Sequence, residues 1–297
     1  MHMAMHDWMR VEPPEAAIRR MAEYGYEGYV PKGEPDQYDY DEVNRLLDEY
    51  EMSCWGTVTL MFGERNLLAP DEEQRAESVQ YVKDCIDMVA ALNGEVISVV
   101  PGTVGKIEPD ASAEEEWQWA VESCKKVYEH GLKQDVEIAI EPINRFETYF
   151  INRVDQALAL ADEVDPNCGV CVDTFHMNIE ESEPYEALRT AGDRINDVHI
   201  ADSNRFAAGM GHWDYARVVD ILEEVGYDGA LSAEFVAPVD RTPANPYEDA
   251  EASETDAVAY SEEEKKFIED HGGNLVSNEF YTWLTEKNAE TILPLIS

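Results

Sequence analysis

Basic residues are scarce in this chain of 297 residues. Lys and Arg together number 22, against 64 Asp and Glu, which gives a formal net charge of −42 at pH 7. A surface this negative repels phosphate backbones and anionic lipid headgroups, and the sequence has no basic patch to offset the repulsion. The composition therefore predicts neither a nucleic-acid partner nor a membrane-surface partner.

Long apolar runs are absent as well. The sequence contains no stretch of 18 apolar residues, and its first residues lack the basic and apolar regions of a signal peptide. We therefore expect a cytoplasmic protein without a membrane span. Hydrophobic residues still make up 44% of the chain and aromatic residues 10%, which is enough for a core and unlike a disordered acidic chain.

The acids are spread along the whole chain rather than gathered in one tail. We interpret this pattern as halophilic adaptation to a salty cytosol, because concentrated salt screens the self-repulsion and dense carboxylates keep the surface soluble. An ordinary acidic protein is the alternative.

Cysteine is too sparse for a disulfide framework. The five cysteines are odd in number and scattered along the chain. Cys168 and Cys171 match a C-x-x-C pattern, but no second pair follows at zinc-site spacing. Cys171 lies in an apolar run typical of a buried strand, so we expect neither a redox nor a zinc role for this pair.

Short apolar runs alternate with longer amphipathic runs along the chain. The predicted strands lie near residues 3–9, 27–30, 52–58, 95–100, 136–140, 169–172, 197–200 and 230–233. The predicted helices cover residues 13–24, 41–50, 71–92, 113–132, 153–164, 184–191 and 215–225. Eight strands, each followed by a stretch of helical length, indicate parallel strands joined by crossovers.

This alternation favours an α/β fold of the (β/α)8 TIM-barrel class, which typically needs about 250 residues plus insertions. A doubly wound open sheet is the alternative, but the phosphate-binding glycine fingerprints that usually accompany it are absent. We expect a single TIM-barrel domain over residues 1–297. A Pro-rich acidic loop follows the last strand at about 237–264, and a C-terminal helix over residues 278–293 then covers the barrel or a partner subunit.

Four successive predicted strands end in residue types that bind metals. The residues are Glu141, Asp173, His199 and Glu234. Their spacing of about one βα unit predicts that they converge at the C-terminal face of the barrel, where active sites of this fold lie. Each residue alone is explained as a loop acid or a core histidine, but together they predict a divalent metal site. Three carboxylates and one imidazole suit Mn²⁺ first, with Mg²⁺ or Co²⁺ as alternatives.

The sequence around these residues resembles the ketose 3-epimerases of the xylose-isomerase-like TIM-barrel superfamily, the group of the D-tagatose and D-psicose 3-epimerases. The resemblance is carried by the segments EPINRFE at 141–147, DTFHMNIEE at 173–181, HIADSNR at 199–205 and SAEF at 232–235. One departure is Val30, which stands where many relatives carry a glutamate after the second strand.

The resemblance implies both a mechanism and further site residues. Glu141 and Glu234 would be metal ligands and also the acid/base pair that moves the C3 proton of a ketose through a cis-enediolate. Glu147, His176 and Arg205 would bind the sugar around O1–O3. Relatives are commonly dimers or tetramers, so we expect a homo-oligomer with a small-molecule sugar substrate.

Three other functions share parts of this pattern. An aldose–ketose isomerase would use the same metal site. A DNA-repair enzyme of the endonuclease IV type would need several further zinc-binding histidines, and His2, His6, His130 and His271 instead look like surface residues. A catalytically dead binding protein would not need both Glu141 and Glu234.

The halophilic interpretation predicts that folding and activity depend on high salt. Molar salt shortens the Debye length from about 10 Å at 0.1 M to about 3 Å, which weakens repulsion among the surface carboxylates. We expect the melting temperature, followed by circular dichroism, to rise steeply between dilute buffer and molar NaCl or KCl. Full stability in dilute buffer would contradict the interpretation.

Overall fold

The structure is a computed structural model that describes residues 1–10, 12–237, 242–244, 246–247 and 276–296. The strands are β1 (His2–His6), β2 (Gly28–Val30), β3 (Ser53–Cys54), β4 (Gly56–Val58), β5 (Val96–Val99), β6 (Glu137–Ile140), β7 (Gly169–Asp173), β8 (Ile195–Ile200) and β9 (Ala230–Ala233). The helices are α1 (Pro14–Glu23), α2 (Tyr40–Glu49), α3 (Glu72–Ala91), α4 (Ala113–Gln134), α5 (Val154–Val164), α6 (Thr174–Glu180), α7 (Pro184–Ala191), α8 (Tyr215–Val225) and α9 (Asn278–Ile296).

All nine strands belong to one parallel sheet with the order β3-β2-β1-β9-β8-β7-β6-β5-β4. The strands at the two ends of this order, β3 and β4, are consecutive pieces of one predicted strand and are separated only by Trp55. The Trp55 N–H donates to the Tyr29 carbonyl at 2.9 Å, and the Trp55 carbonyl accepts from the Glu95 N–H at 2.8 Å. The barrel therefore closes at this residue, and the (β/α)8 fold is confirmed.

The interior of the barrel is filled by small and aliphatic side chains around one tryptophan. This inner cluster consists of Ala4, Val30, Trp55, Val96, Ala139, Cys171 and Ala230, and a larger apolar cluster lies between the sheet and the helices. Side chains two residues apart on a strand point to the same face. The residues two positions after Ala4, Ala139 and Cys171 therefore face the interior too, at the C-terminal end of the barrel.

Two local features differ from the sequence expectation. The first strand ends at His6 and not at residue 9, because the chain turns over the next residues and the Arg10 N–H donates to the Asp7 carbonyl. Helix α6 was not predicted, because its seven residues are too few to show helical periodicity.

The C-terminal segment covers the outside of the barrel. Helix α9 packs against α1, α8 and β1, so the predicted helix over residues 278–293 is confirmed. Most of the predicted acidic loop at about 237–264 lies outside the described residues, and the single domain over residues 1–297 stays a prediction. None of the described helices is both long and apolar enough to cross a bilayer.

A buried arginine of α1 binds helix α9 to the N-terminal part of the chain. The Arg20 guanidinium is paired with Glu12 and donates to Asn278 Oδ1 at 2.7 Å and to Thr282 Oγ1 at 3.0 Å. It also lies over the Tyr281 ring, 5.1 Å from the centroid. Both charged side chains are less than one-tenth exposed. Arg10 Nε also lies 3.3 Å from Glu12 Oε2, so removing Arg20 leaves the buried Glu12 with one of its two cationic partners.

We therefore predict that Arg20→Ala lowers the free energy of unfolding by at most about 3–5 kcal/mol, the cost typical of breaking a buried pair, because Arg10 still contacts Glu12. Urea denaturation in molar salt measures the change. Arg45→Ala is the matched control, since Arg45 also pairs with glutamates, Glu42 and Glu49, but on an exposed face of α2. Its unfolding free energy should hardly change. Equal losses in the two variants would show that the Arg20 cluster does not hold α9.

Candidate metal centre and active site

The four predicted metal ligands meet at the C-terminal end of the barrel. Glu141 follows β6, Asp173 ends β7, His199 lies in β8 and Glu234 follows β9. All four are buried, and one ligand atom from each lies within 4.8 Å of the others. The fold therefore brings together side chains that are nearly a hundred residues apart in sequence.

His199 stands at the centre of this group. Its Nδ1 lies 3.0 Å from Glu141 Oε1 and 3.8 Å from Glu234 Oε2. Its other ring nitrogen, Nε2, lies 3.0 Å from Asp197 Oδ2. An ionised carboxylate only accepts hydrogen bonds, so the proton belongs on Nε2 and the lone pair of Nδ1 faces the two glutamates when a metal is bound.

The carboxylates of this group have oxygens that no protein donor satisfies. Glu141 Oε2, Asp173 Oδ2 and Glu234 Oε2 are buried, and no N–H or O–H group of the described residues reaches them. Buried acceptors without donors are rare and costly. Three such oxygens beside one imidazole nitrogen fit a hard divalent cation, so this group is a candidate metal site.

The pKa values show the cost of crowding these charges together. Burial, reinforced by Asp173 and Glu141 and opposed by His199, raises the pKa of Glu234 well above its usual range. Burial also opposes ionisation of Asp173, but His176, Glu234 and His199 together hold its pKa below the ordinary value. Without a metal, Glu234 is therefore more easily protonated than Asp173. A bound cation would displace such a proton, because metal ligands must be deprotonated.

Asp173 also caps a helix, and the capping bonds fix the orientation of its carboxylate. It is the N-cap of α6, and its Oδ1 accepts from the N–H groups of Phe175 at 2.6 Å and His176 at 3.2 Å. The capping bonds stabilise the ionised carboxylate at the positive end of the helix. They also use only one oxygen, so Oδ2 is left facing the other ligands.

Asp197 is a site residue that the sequence analysis missed. It is buried two positions before His199 on the same face of β8. Besides contacting the imidazole, it accepts from Trp55 Nε1 at 2.9 Å and from Ser98 Oγ at 2.8 Å. The alternation in Asp197-Val198-His199 was the available signal, since ligating histidines usually bind an acceptor through their second nitrogen.

The three residues that the resemblance assigns to sugar binding lie together beside the ligands. Arg205 Nη1 donates to Glu147 Oε1 at 3.0 Å, and Asn144 Nδ2 donates to the same oxygen at 2.7 Å. Asn144 Nδ2 also lies 2.9 Å from His176 Nδ1, and His176 Nε2 lies 3.9 Å from Asp173 Oδ2. The network joins the loops after β6 and β8 to α6 and reaches the metal ligands through Asp173.

The backbone holds Arg205 in an unusual conformation. Its φ is +62°, in the left-handed region that non-glycine residues rarely occupy. Its N–H donates to the Asp202 carbonyl and its carbonyl accepts from the Val236 N–H, both at 2.7 Å. These bonds hold the backbone, and the guanidinium lies over the Phe175 ring, 4.7 Å from the centroid. Strained residues held in this way are frequent at functional sites.

His6 was expected on the surface, and that expectation is wrong. It is fully buried at the end of β1, with its ring 4.6 Å from the His199 ring and nearly perpendicular to it. Burial, followed by the nearby His199, lowers the pKa of His6 well below its usual value. The imidazole is therefore neutral beside the metal ligands.

The two cysteines of the C-x-x-C pair are not joined by a disulfide in this structure. Cys168 and Cys171 are both free and buried, as the strand interpretation predicted. Burial raises the pKa of the Cys168 thiol to about 12. Because the thiolate is the reactive form, such a thiol is inert near neutral pH.

Comparison with known proteins places this site in a family. Residues 18–281 match the xylose isomerase-like TIM barrel family. The chain belongs to this family. L-ribulose 3-epimerase of Methylomonas sp. strain DH-1 is 30% identical over 222 residues, which cover 73% of this chain and 77% of the relative. D-psicose 3-epimerase of Ruminiclostridium cellulolyticum is 27% identical over 226 residues, covering 73% and 76%.

A solved structure supports the same fold for this member of the xylose isomerase-like TIM barrel family. The crystal structure of D-allulose 3-epimerase from Methylomonas sp. has a TM-score of 0.83 with 23% sequence identity, covering 99% of this chain and 98% of that chain. The resemblance to ketose 3-epimerases is thus confirmed, and the structural match confirms the barrel.

The contact between Asp197 and His199 predicts a loss of metal affinity in Asp197→Asn. An amide cannot hold the imidazole as an ionised carboxylate does, and losses of this kind typically weaken metal binding about 10–100-fold. Isothermal titration of the metal-free protein with Mn²⁺ measures the dissociation constant.

Asp202→Asn is the matched control for this experiment. Asp202 is also buried near the end of β8, but its carboxylate accepts from the N–H groups of Ser203, Gly209 and Trp213 and not from a ligand. This variant should lose stability and keep its metal affinity. A dissociation constant unchanged by Asp197→Asn, or raised equally by both substitutions, would contradict an orienting role for Asp197.

Proposed function

We propose that this chain epimerises a free ketose at C3, using one divalent metal ion on Glu141, Asp173, His199 and Glu234. Mn²⁺ is the first choice, and Mg²⁺ or Co²⁺ are the alternatives. The observation that carries the proposal is the pair Glu141 and Glu234, two buried carboxylates that both face Nδ1 of His199 and that each have an oxygen without a hydrogen-bond partner among the described residues. The epimerase relatives support the same reaction.

The metal would supply Lewis-acid chemistry, which acidifies the C3 proton of the ketose and stabilises the charge of the cis-enediolate. The two glutamates then act on that carbon from different directions. Glu141 follows β6 and Glu234 follows β9, with β7 and β8 between them in the barrel wall. One carboxylate removes the C3 proton, and the other delivers a proton to the opposite face. Inversion needs two such groups, because a single base returns the proton to the face it left.

Glu147, His176 and Arg205 would hold the sugar around O1–O3. Arg205 brings a permanently cationic side chain to this network, and its Nε has no hydrogen-bond partner among the described residues. A guanidinium suits oxygen atoms that gain negative charge during proton transfer. Asn144 ties Glu147 to His176 and so positions both.

An aldose–ketose isomerase on the same ligands remains the second candidate, because both reactions remove a proton beside a carbonyl group. A DNA-repair activity with several zinc ions is less well supported. The ligand groups found among the described residues contain only two histidines, His6 and His199.

Four further properties stay predictions from the sequence. They are cytoplasmic localisation, a dimer or tetramer, the absence of a nucleic-acid partner and adaptation to salt.

Deuterium incorporation in D₂O tests the two-glutamate mechanism. Candidate C5 and C6 ketoses are incubated with enzyme and Mn²⁺ in molar salt, and the products are read by sugar chromatography and NMR. Wild type should place deuterium at C3 and form the C3 epimer. Glu141→Gln and Glu234→Gln should each slow epimerisation by about 10²–10⁴-fold, the usual contribution of acid–base catalysis. Each variant should retain slow exchange of one C3 epimer only, and the two should retain opposite epimers.

Glu116→Gln is the matched control, because Glu116 is a buried glutamate on α4 that accepts from backbone N–H groups away from the site. Its turnover should equal that of wild type. Titration with Mn²⁺ must show that the site variants still bind metal. Deuterium at C1 or C2 with an aldose product would favour the isomerase. Full turnover of Glu234→Gln with metal bound would overturn the two-glutamate mechanism.

A further inference from the structure

The mechanism proposed above leaves His6 without a role. The side chain is fully buried, and neither ring nitrogen has a hydrogen-bond partner among the described residues. A buried imidazole without partners is costly, because the ring nitrogens have lost water and gained nothing in return. A ligand bound to the His6 imidazole would supply the missing partner.

The position of His6 indicates what that ligand is. One nitrogen of His6, one nitrogen of His199 and one oxygen of Glu234 all lie within 4.8 Å of one another. Two imidazoles and one carboxylate form a ligand set that zinc takes in proteins, with a fourth position left for water. The ligand atoms around a tetrahedral zinc ion are about 3.3 Å apart, so small side-chain movements complete the site.

This His6 set differs in chemistry from the group of Glu141, Asp173, His199 and Glu234. The four-residue group offers mainly oxygen and suits hard cations, whereas the His6 set offers mainly nitrogen and suits zinc. The two sets share His199 and Glu234. Because Asp197 engages Nε2 of His199, only Nδ1 of that ring is available, and its single lone pair binds one metal ion at a time.

We propose that zinc binds this chain through His6, His199 and Glu234 and excludes the metal of the four-residue group. The active site thus has two mutually exclusive metal positions, one beside β1 and one beside β6 and β7. Zinc bound by His6, His199 and Glu234 should inhibit the enzyme. This consequence, unlike zinc binding itself, rests on the proposed function.

Zinc K-edge X-ray absorption counts the imidazole ligands directly. Metal-free protein in molar salt is loaded with slightly less than one equivalent of zinc, so that weaker surface carboxylates do not compete. We expect two imidazole ligands in wild type and one in His6→Phe. His2→Phe is the matched control, because His2 lies on the same face of β1, packs edge-on against Trp55 and is at the opposite end of the barrel. Its spectrum should match wild type.

The affinities provide a second measurement. Zinc dissociation constants are obtained by competition with a chromogenic chelator, and the release of bound Mn²⁺ by zinc is followed by electron paramagnetic resonance. His6→Phe should weaken zinc binding at least about 10-fold, because the loss of a residue that only hydrogen-bonds to a metal ligand already has an effect of this size. The substitution should leave Mn²⁺ binding unchanged. His6→Gln keeps a polar group in the pocket and should show the same loss, which guards against a folding defect of the phenylalanine variant.

The outcomes separate this proposal from the proposed function. One imidazole ligand in wild type, or two that survive His6→Phe, would overturn the His6 site even in an active epimerase. Two imidazoles that fall to one on substitution would support it even in a protein that shows no epimerase activity with Mn²⁺. Equal loss of zinc and Mn²⁺ affinity in both His6 variants would also count against it, because the two positions would then not be distinct.

Discussion

The constraint that organises this site is the repulsion among three carboxylates buried at one end of the barrel. Glu141, Asp173 and Glu234 present free oxygens to the same small volume, with a single imidazole between them. Two unit charges about 4 Å apart repel by about 4 kcal/mol at an effective dielectric constant of 20. Protonation of Glu234 relieves part of this cost, and a divalent cation would offset two of the three negative charges. A bound proton or metal therefore lowers the electrostatic cost of this arrangement, and the proposed metal binding is coupled to the protonation of Glu234.

The surrounding structure orients two of the four candidate ligands, Asp173 and His199, by binding the atoms that do not face the other ligands. The first turn of α6 binds one oxygen of Asp173, and Asp197 binds the far nitrogen of His199. Asp197 is in turn held by Trp55, the residue at which the barrel closes. A change at the closure point would thus be transmitted to the imidazole of His199 through two hydrogen bonds. The ligand geometry depends on the barrel as a whole, which explains why residues from four strands can be placed to within a few ångströms.

The sequence predicts most of this architecture because strand period and strand ends are local properties. Eight apolar runs and the polar residues that follow them were enough to place Glu141, Asp173, His199 and Glu234 at one face. The buried position of His6 was not predicted because no residue in the apolar run at 3–9 marks the end of the first strand. That end is set by a turn and by pairing with neighbours that are distant in sequence. The role of Asp197 was not predicted for a different reason. Asp197 lies inside a strand, and a buried charge there can be explained only once its hydrogen-bond partners are known.

The acids of this chain therefore fall into two physical classes that salt affects differently. Carboxylates on the surface repel one another through solvent, and molar salt screens that repulsion within about 3 Å. The carboxylates at the barrel end are buried, and mobile ions cannot enter to screen them. Salt can stabilise the surface and still leave the site in need of its own cation. For this reason the net charge of −42 bears on the surface and its solvent, whereas the proposed reaction depends on a few buried acids.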